Sequence, residues 1–123
     1  MNPIVHDLPG KLWCGPAVLA AITGLKTSAF EHLNDAGKCG ISVVRETLRL
    51  HGYSMVQGAN PGPDYRLDDF DELTLCIVDP GAGHWVLVQN GMLVDSGNRI
   101  PTPIKSTRFA DSEVRFCYYI TKL

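Results

Sequence analysis

His84-Trp85-Val86-Leu87-Val88-Gln89-Asn90-Gly91-Met92-Leu93-Val94-Asp95 is the stretch on which the architecture turns. Two β-prone runs flank an Asn-Gly pair, the dipeptide that most readily adopts the positive φ angles of a two-residue hairpin turn. A turn that short fixes the register. Gln89 then faces Met92, Val86 faces Asp95 and His84 faces Gly97. Alternation places His84, Val86, Val88, Leu93 and Asp95 on one side of the ribbon. Asp95 becomes the diagonal neighbour of His84, about 7 Å away between backbones and within side-chain reach. Two polar groups on an otherwise apolar face need a partner, and each supplies one to the other. A one-residue slip would separate them.

Around this hairpin the second half of the chain reads as strands. Leu73 to Val78 is a buried-strand run ending at Asp79-Pro80-Gly81. Glu113 to Thr121 alternates, with Val114, Phe116, Tyr118 and Ile120 expected on one face. Tyr53 to Gln57 reads as a short strand, Gly58 to Pro63 as a loop, and Leu67 to Asp71 as one helical turn. The first half is helical. After an extended lead-in over residues 1–13, a helix spans Cys14 to Thr23, with Pro16 harmless in its first turn and Gly24 suited to its end. Cys14, Val18, Ile22 and Leu25 share one face of it, so the thiol points the way the core residues do. A second short helix starts at Thr27 or Ser28, with Phe30 and Leu33 inward, and stops at Gly37. A third begins at Ser42 as N-cap, carries Val44, Leu48 and Leu50 as its apolar positions, and stops at Gly52. Helices first and antiparallel strands after predict an α+β fold, N-terminal helices packed on a C-terminal sheet, in a single domain over residues 1–123.

Composition narrows the function. The chain has 123 residues, a formal charge of −2 and 45% hydrophobic residues. Its 11 Lys and Arg are scattered, which argues against nucleic acid or an anionic membrane as partner. No apolar run is long enough to span a bilayer, and the N-terminus lacks signal-peptide character, so a cytoplasmic protein is expected. Cys14, Cys39, Cys76 and Cys117 are widely spaced, without CxxC or CxxH pairs, and read as reduced thiols rather than disulfides or a zinc site. No cofactor is expected.

The chemistry-bearing segment is Trp13-Cys14-Gly15-Pro16-Ala17, at the opening of the first helix. A thiol at a helix N-terminus, an imidazole and a carboxylate are the parts of a cysteine nucleophile site. Moving a thiol from its usual pKa of about 8.5 to near 4 needs about 6 kcal/mol, and a helix terminus supplies about 0.3 to 2. An adjacent imidazolium must supply the rest. Singly, each residue has a plain reading: Cys14 a small buried hydrophobe, His84 a strand-end histidine, Asp95 a turn residue. Jointly, with His84 and Asp95 on one face and the Cys14 face of the helix packed against it, they make a site. Asp79 and Asn98 are alternative partners for His84. Trp85 points away from His84 into sheet packing. His32 reads as exposed, His51 as a cation at a helix end, Cys39 as a surface thiol in a turn, and Cys76 as core.

These residues together resemble papain-like cysteine peptidases, most of all the small bacterial and phage-type group related to bacteriocin-leader peptidases. In that group a Cys-Gly-Pro-Ala helix precedes a His strand and an Asp strand, here Cys14 to Ala17, His84 to Val88, and Asp95. The resemblance implies a minimal papain-like fold, with Cys14 as nucleophile, His84 as general base and acid, and Asp95 orienting His84. It implies amide hydrolysis of peptide or protein substrates, while acyl transfer or glutamine deamidation would use the same residues. Two departures stand out. Papain-like enzymes place an oxyanion-hole Gln shortly before the nucleophile, but His6-Asp7-Leu8-Pro9-Gly10 holds none; the Cys14 backbone N–H, His6 and Asn2 are the remaining candidate donors. The short chain also leaves little room for elaborate subsites. A papain-like module that binds without catalysis is therefore the competing reading, and a metal site built from Cys14, His84 and Asp95 a third.

Overall fold

The computed structural model describes residues 1–35, 39–58, 65–78 and 83–123. Helices α1 (Cys14–Thr23) and α2 (Ile41–Leu50), with a 3-10 helix (Thr27–Leu33) between them, pack on a six-stranded antiparallel sheet. Its strands are β1 (Tyr53–Gln57), β2 (Thr74–Val78), β3 (His84–Gln89), β4 (Met92–Val94), β5 (Thr102–Pro103) and β6 (Val114–Lys122). They lie in the order β1-β6-β2-β3-β4-β5, so the last strand of the chain sits second, between β1 and β2. The α+β architecture expected from the sequence is the one observed.

The hairpin register is the one the Asn-Gly turn dictates. Asn90 and Gly91 take φ of 50° and 78°, and Gln89, Val88 and Leu87 pair with Met92, Leu93 and Val94. Both sheet faces are buried. Met55, Leu75, Trp85, Leu87, Val94, Tyr118 and Ile120 meet the helices. Cys76, Val78, Val86, Val88, Leu93 and Val114 meet Leu67, Phe70, Ile104 and Phe109 from the connecting segments. Here the structure departs from expectation. Helix α1 covers the Trp85 and Leu87 face, not the His84 and Val86 face. Both faces are equally apolar in sequence, so alternation alone could not say which one the helix would cover.

Three smaller departures have similar causes. Helix α1 is enclosed from Gly15 through Ile22 rather than along one stripe, and Leu25 lies outside it, exposed. Helix α2 begins at Ile41 behind Gly40, with Ser42 inside its exposed first turn, and Leu50 points to solvent while Val44 and Leu48 are buried. In β6 a bulge leaves Arg115 without an opposite residue on β2, since Ile77 faces Phe116 and Val78 faces Val114. The extra residue turns Val114 to the face opposite Tyr118 and Ile120, breaking the simple alternation. Gly37 and most of the 58–63 loop lie outside the described residues. Among those described, no helix is long and apolar enough to cross a membrane.

Burial decides which leucines matter. Leu19→Ala, at the centre of α1 and fully buried, is expected to cost about 2–5 kcal/mol of unfolding free energy. Leu50→Ala, at 68% exposure, should stay within about 0.5 kcal/mol of the native protein. Equilibrium denaturation by urea measures both; comparable losses would contradict this burial pattern.

Candidate active site

Cys14 is the first residue of α1. The lead-in is held there by Asn34, whose Oδ1 accepts the Trp13 N–H at 3.0 Å and whose Nδ2 donates to the Lys11 carbonyl at 3.1 Å. Trp13 is the N-cap, with extended backbone and no side-chain cap, and its carbonyl accepts the Ala17 N–H at 3.2 Å. The first N–H groups of a helix have no acceptor within it, which leaves the helix start favourable to negative charge. Across from it, His84 opens β3. The thiol meets the imidazole around the end of that strand, where the Trp85 backbone N–H also reaches the sulfur. The contact thus joins the helix-covered face to the opposite one around the N-terminal end of β3.

Behind His84 the arrangement is closed. Its Nε2 lies 2.8 Å from Asp95 Oδ2, which leaves Nδ1 as the nitrogen for Cys14. The other carboxylate oxygen, Oδ1, accepts the Gly97 N–H (3.1 Å), the Asn98 N–H (2.7 Å) and Asn98 Nδ2 (2.8 Å). Asp95 is 1% exposed, and four donors meet the hydrogen-bonding need that burial creates. Phe109 stacks on the imidazole at 5.3 Å between centroids with the planes 11° apart, fixing the ring's tilt.

The electrostatics follow from these contacts. Hydrogen bonds to Asp95 and then to Cys14 outweigh burial and raise His84 to a pKa of about 9. For Cys14, burial opposes ionisation most strongly, yet the His84 hydrogen bond, the Trp85 and Cys14 N–H groups and the imidazolium charge together bring the thiol below its ordinary value. Burial likewise opposes the Asp95 charge, and its bonds to His84 and Asn98 prevail, holding the carboxyl below its ordinary range. These opposite shifts favour a thiolate beside an imidazolium, the pair nucleophilic catalysis needs.

The other candidates sit elsewhere. Asn2 donates through Nδ2 to the carbonyls of Ala21 (3.0 Å) and Ile22 (3.4 Å), at the opposite end of α1 from Cys14. Seven helical residues separate the two positions, about 10 Å of rise, so Asn2 is not an oxyanion donor. The ring nitrogens of His6 are each 3.0 Å from a partner, Thr27 Oγ1 and the Gly10 carbonyl, so His6 is committed to holding the lead-in. The Cys14 N–H remains in place. Asn98 bonds the Asp95 carboxylate rather than His84 and supports it from behind. Asp79 lies outside the described residues. Cys39 is not a surface thiol. It is half-buried against Gly15 and near Cys14, its carbonyl accepts Trp85 Nε1–H at 3.2 Å, and burial followed by the Cys14 charge pushes its own thiol up to about 11. Trp85 packs on the helix side, His32 is exposed, and His51 caps α2 with Nδ1 2.8 Å from the Thr47 carbonyl. Cys76 is buried opposite Cys117. Among the described residues no three His, Cys, Asp or Glu side chains are grouped to hold a metal ion.

An open cleft of about 330 Å³ exposes Cys14 and His84, with Lys11, Trp13, Ser96 and Arg108 among its walls. Asn34, Ser96, Arg108 and Phe109 carry no sequence signal for this role; only the path of the β5–β6 connection brings the last two there. The sequence matches no protein-family model, and no curated protein matches it.

The shifts set a pH window. His84 is raised, so its contribution to stability is full below about pH 6.5, where it is charged folded or unfolded, and fades as pH climbs through about 9. Asp95 is lowered, so its contribution holds above its ordinary value of 3.8 and is lost as pH falls through the folded value. Asp95→Asn should therefore destabilise most between about pH 4 and 6.5, by about 1–3 kcal/mol, and progressively less toward pH 9. Urea titrations across that range are the measurement; a deficit that grows with pH would refute the assignment.

Proposed function

We propose that this protein is a cysteine-dependent amide-bond hydrolase acting on peptide or protein substrates, in the manner of papain-like cysteine peptidases. The observation that carries it is the chain of contacts from the Cys14 thiol through the His84 ring to a fully bonded Asp95 carboxylate. In the forward half-reaction the Cys14 thiolate attacks the substrate carbonyl carbon and the C–S bond forms. The C–N bond breaks as the amine leaves with the proton of His84 Nδ1, giving a thioester. A water then attacks, giving its proton to the same nitrogen; the C–S bond breaks, and the carboxylic acid and the free enzyme separate. An acyl acceptor other than water makes the same enzyme a transferase, and a glutamine side chain as substrate makes it a deamidase. Asp95 keeps the imidazole in the tautomer and orientation that both halves need. A reducing, cytoplasmic setting belongs to this proposal, since all four cysteines are free thiols.

One observation favours the competing reading, a binding module without turnover. Asn2 and His6 are engaged elsewhere, so neither joins the Cys14 N–H in stabilising an oxyanion, and one such donor is typically worth about 2.7–4 kcal/mol.

Alkylation by iodoacetamide against pH separates the two. The amidase reading expects Cys14 to react at about pH 6 and His84→Ala to lose most of that reactivity, because burial then acts unopposed on the thiol. It also expects Cys14→Ala to abolish cleavage of fluorogenic peptide amides and Asp95→Asn to lower kcat by roughly two to four orders of magnitude. Identical alkylation profiles in wild type and His84→Ala, or a reactive thiol without any turnover, would favour the binding module.

A further inference from the structure

We propose that the cleft selects substrates carrying a carboxylate close to the scissile carbonyl, with Lys11 and Arg108 as the residues that recognise it. This rests on Cys14 being the nucleophile, and it adds what that nucleophile acts on. The cleft gathers Lys11 and Arg108 around Cys14 and His84, and no Asp or Glu is among the described residues lining it. In a chain with a net charge of −2, that local balance is the reverse of the whole.

The two cations come from different parts of the fold, and each rests on an aromatic ring. Lys11 belongs to the lead-in clamped by Asn34, and its Nζ lies 4.2 Å from the Trp13 ring centre. Arg108 belongs to the β5–β6 connection, and its guanidinium lies 4.6 Å from the centre of Phe109, the ring that stacks on His84. Trp13 immediately precedes the nucleophile and Phe109 supports the imidazole, so both cations are tied to the groups that define the reacting position. Neither takes part in an ion pair among the described residues. The carboxylate of this centre, Asp95, is enclosed by four donors of its own and has nothing left for them. Both side chains are exposed, so their charge is available to a ligand. Arg108 offers the planar fork that pairs with a carboxylate in two hydrogen bonds, and Lys11 adds a mobile point charge. Two cations over a small cleft match one carboxylate group better than a nucleic-acid backbone, which needs a longer basic track.

The ratio of Cys14 alkylation rates by iodoacetate and iodoacetamide tests the anion site without requiring turnover, with a free thiol peptide as reference. Wild type should exceed the reference ratio on the order of ten-fold at low salt, about three-fold per cation, as expected for exposed unit charges a few ångströms apart. Lys11→Gln and Arg108→Gln should each lower the ratio about three-fold, their combination should lower it about ten-fold to the level the His84 imidazolium alone sustains, and Arg108→Lys should keep part of the effect. High salt should compress the wild-type ratio. Because the readout is a ratio, a general change in thiol reactivity cancels. A wild-type ratio equal to the reference, or one unchanged in the double variant, overturns the proposal.

A peptide series then identifies the source of the carboxylate. Glutamate against glutamine on the acyl side, and a free acid against an amide at the C-terminus, distinguish an acidic side chain from a chain end. A preference for either acid supports the anion site, whereas equal cleavage of all four overturns it as a specificity device. Absence of cleavage in every peptide counts against the amidase reading alone, and the alkylation ratio still decides the anion site.

Discussion

The positive φ angles of Asn90 and Gly91 are the constraint on which the centre depends. They allow only two residues in the turn, and two residues fix the pairing of β3 with β4. From that pairing alone, the imidazole at the head of β3 and the carboxylate just past the end of β4 come within 2.8 Å. Everything else attaches to this frame. The 95–98 turn wraps the carboxylate, Phe109 supports the ring, and α1 delivers a thiol to the free nitrogen. An extra residue in the turn would put the two side chains on opposite faces and leave a buried carboxylate without its cation.

At Cys14 burial and hydrogen bonding pull in opposite directions. Burial of the sulfur is the largest single influence and disfavours the thiolate; it is overcome only by the combined action of His84 and two backbone N–H groups. Cys39, a few ångströms from the same helix start and without such partners, goes the other way. Two thiols in one neighbourhood thus differ in reactivity because one faces an imidazole and the other faces Gly15 and apolar surroundings. Reactivity here is a property of contacts rather than of residue type.

Much of this was legible in the sequence, for identifiable reasons. The α+β order, the hairpin and the pairing of His84 with Asp95 follow from short-range rules: turn chemistry, alternation, helix stops. What was not legible is long-range. Nothing in residues 84–95 says which face α1 covers, because Trp85, Leu87 and Val94 are as apolar as Val86, Val88 and Leu93. The bulge at Arg115 has no glycine to announce it. Asn2, close to the nucleophile in sequence, is carried past it by the lead-in and ends at the far end of α1. Asn34 and Arg108 enter the site from segments whose local pattern describes only a helix end and a loop.

Helix α1 is enclosed along nearly its whole length. A surface helix can detach one turn at a time, but one sealed on every side opens only when the surrounding core does. The sulfur is therefore mounted on an element expected to be among the slowest to exchange its amide hydrogens. Adjustment to incoming molecules falls to the exposed side chains of the rim, and the nucleophile's placement is as durable as the globule itself.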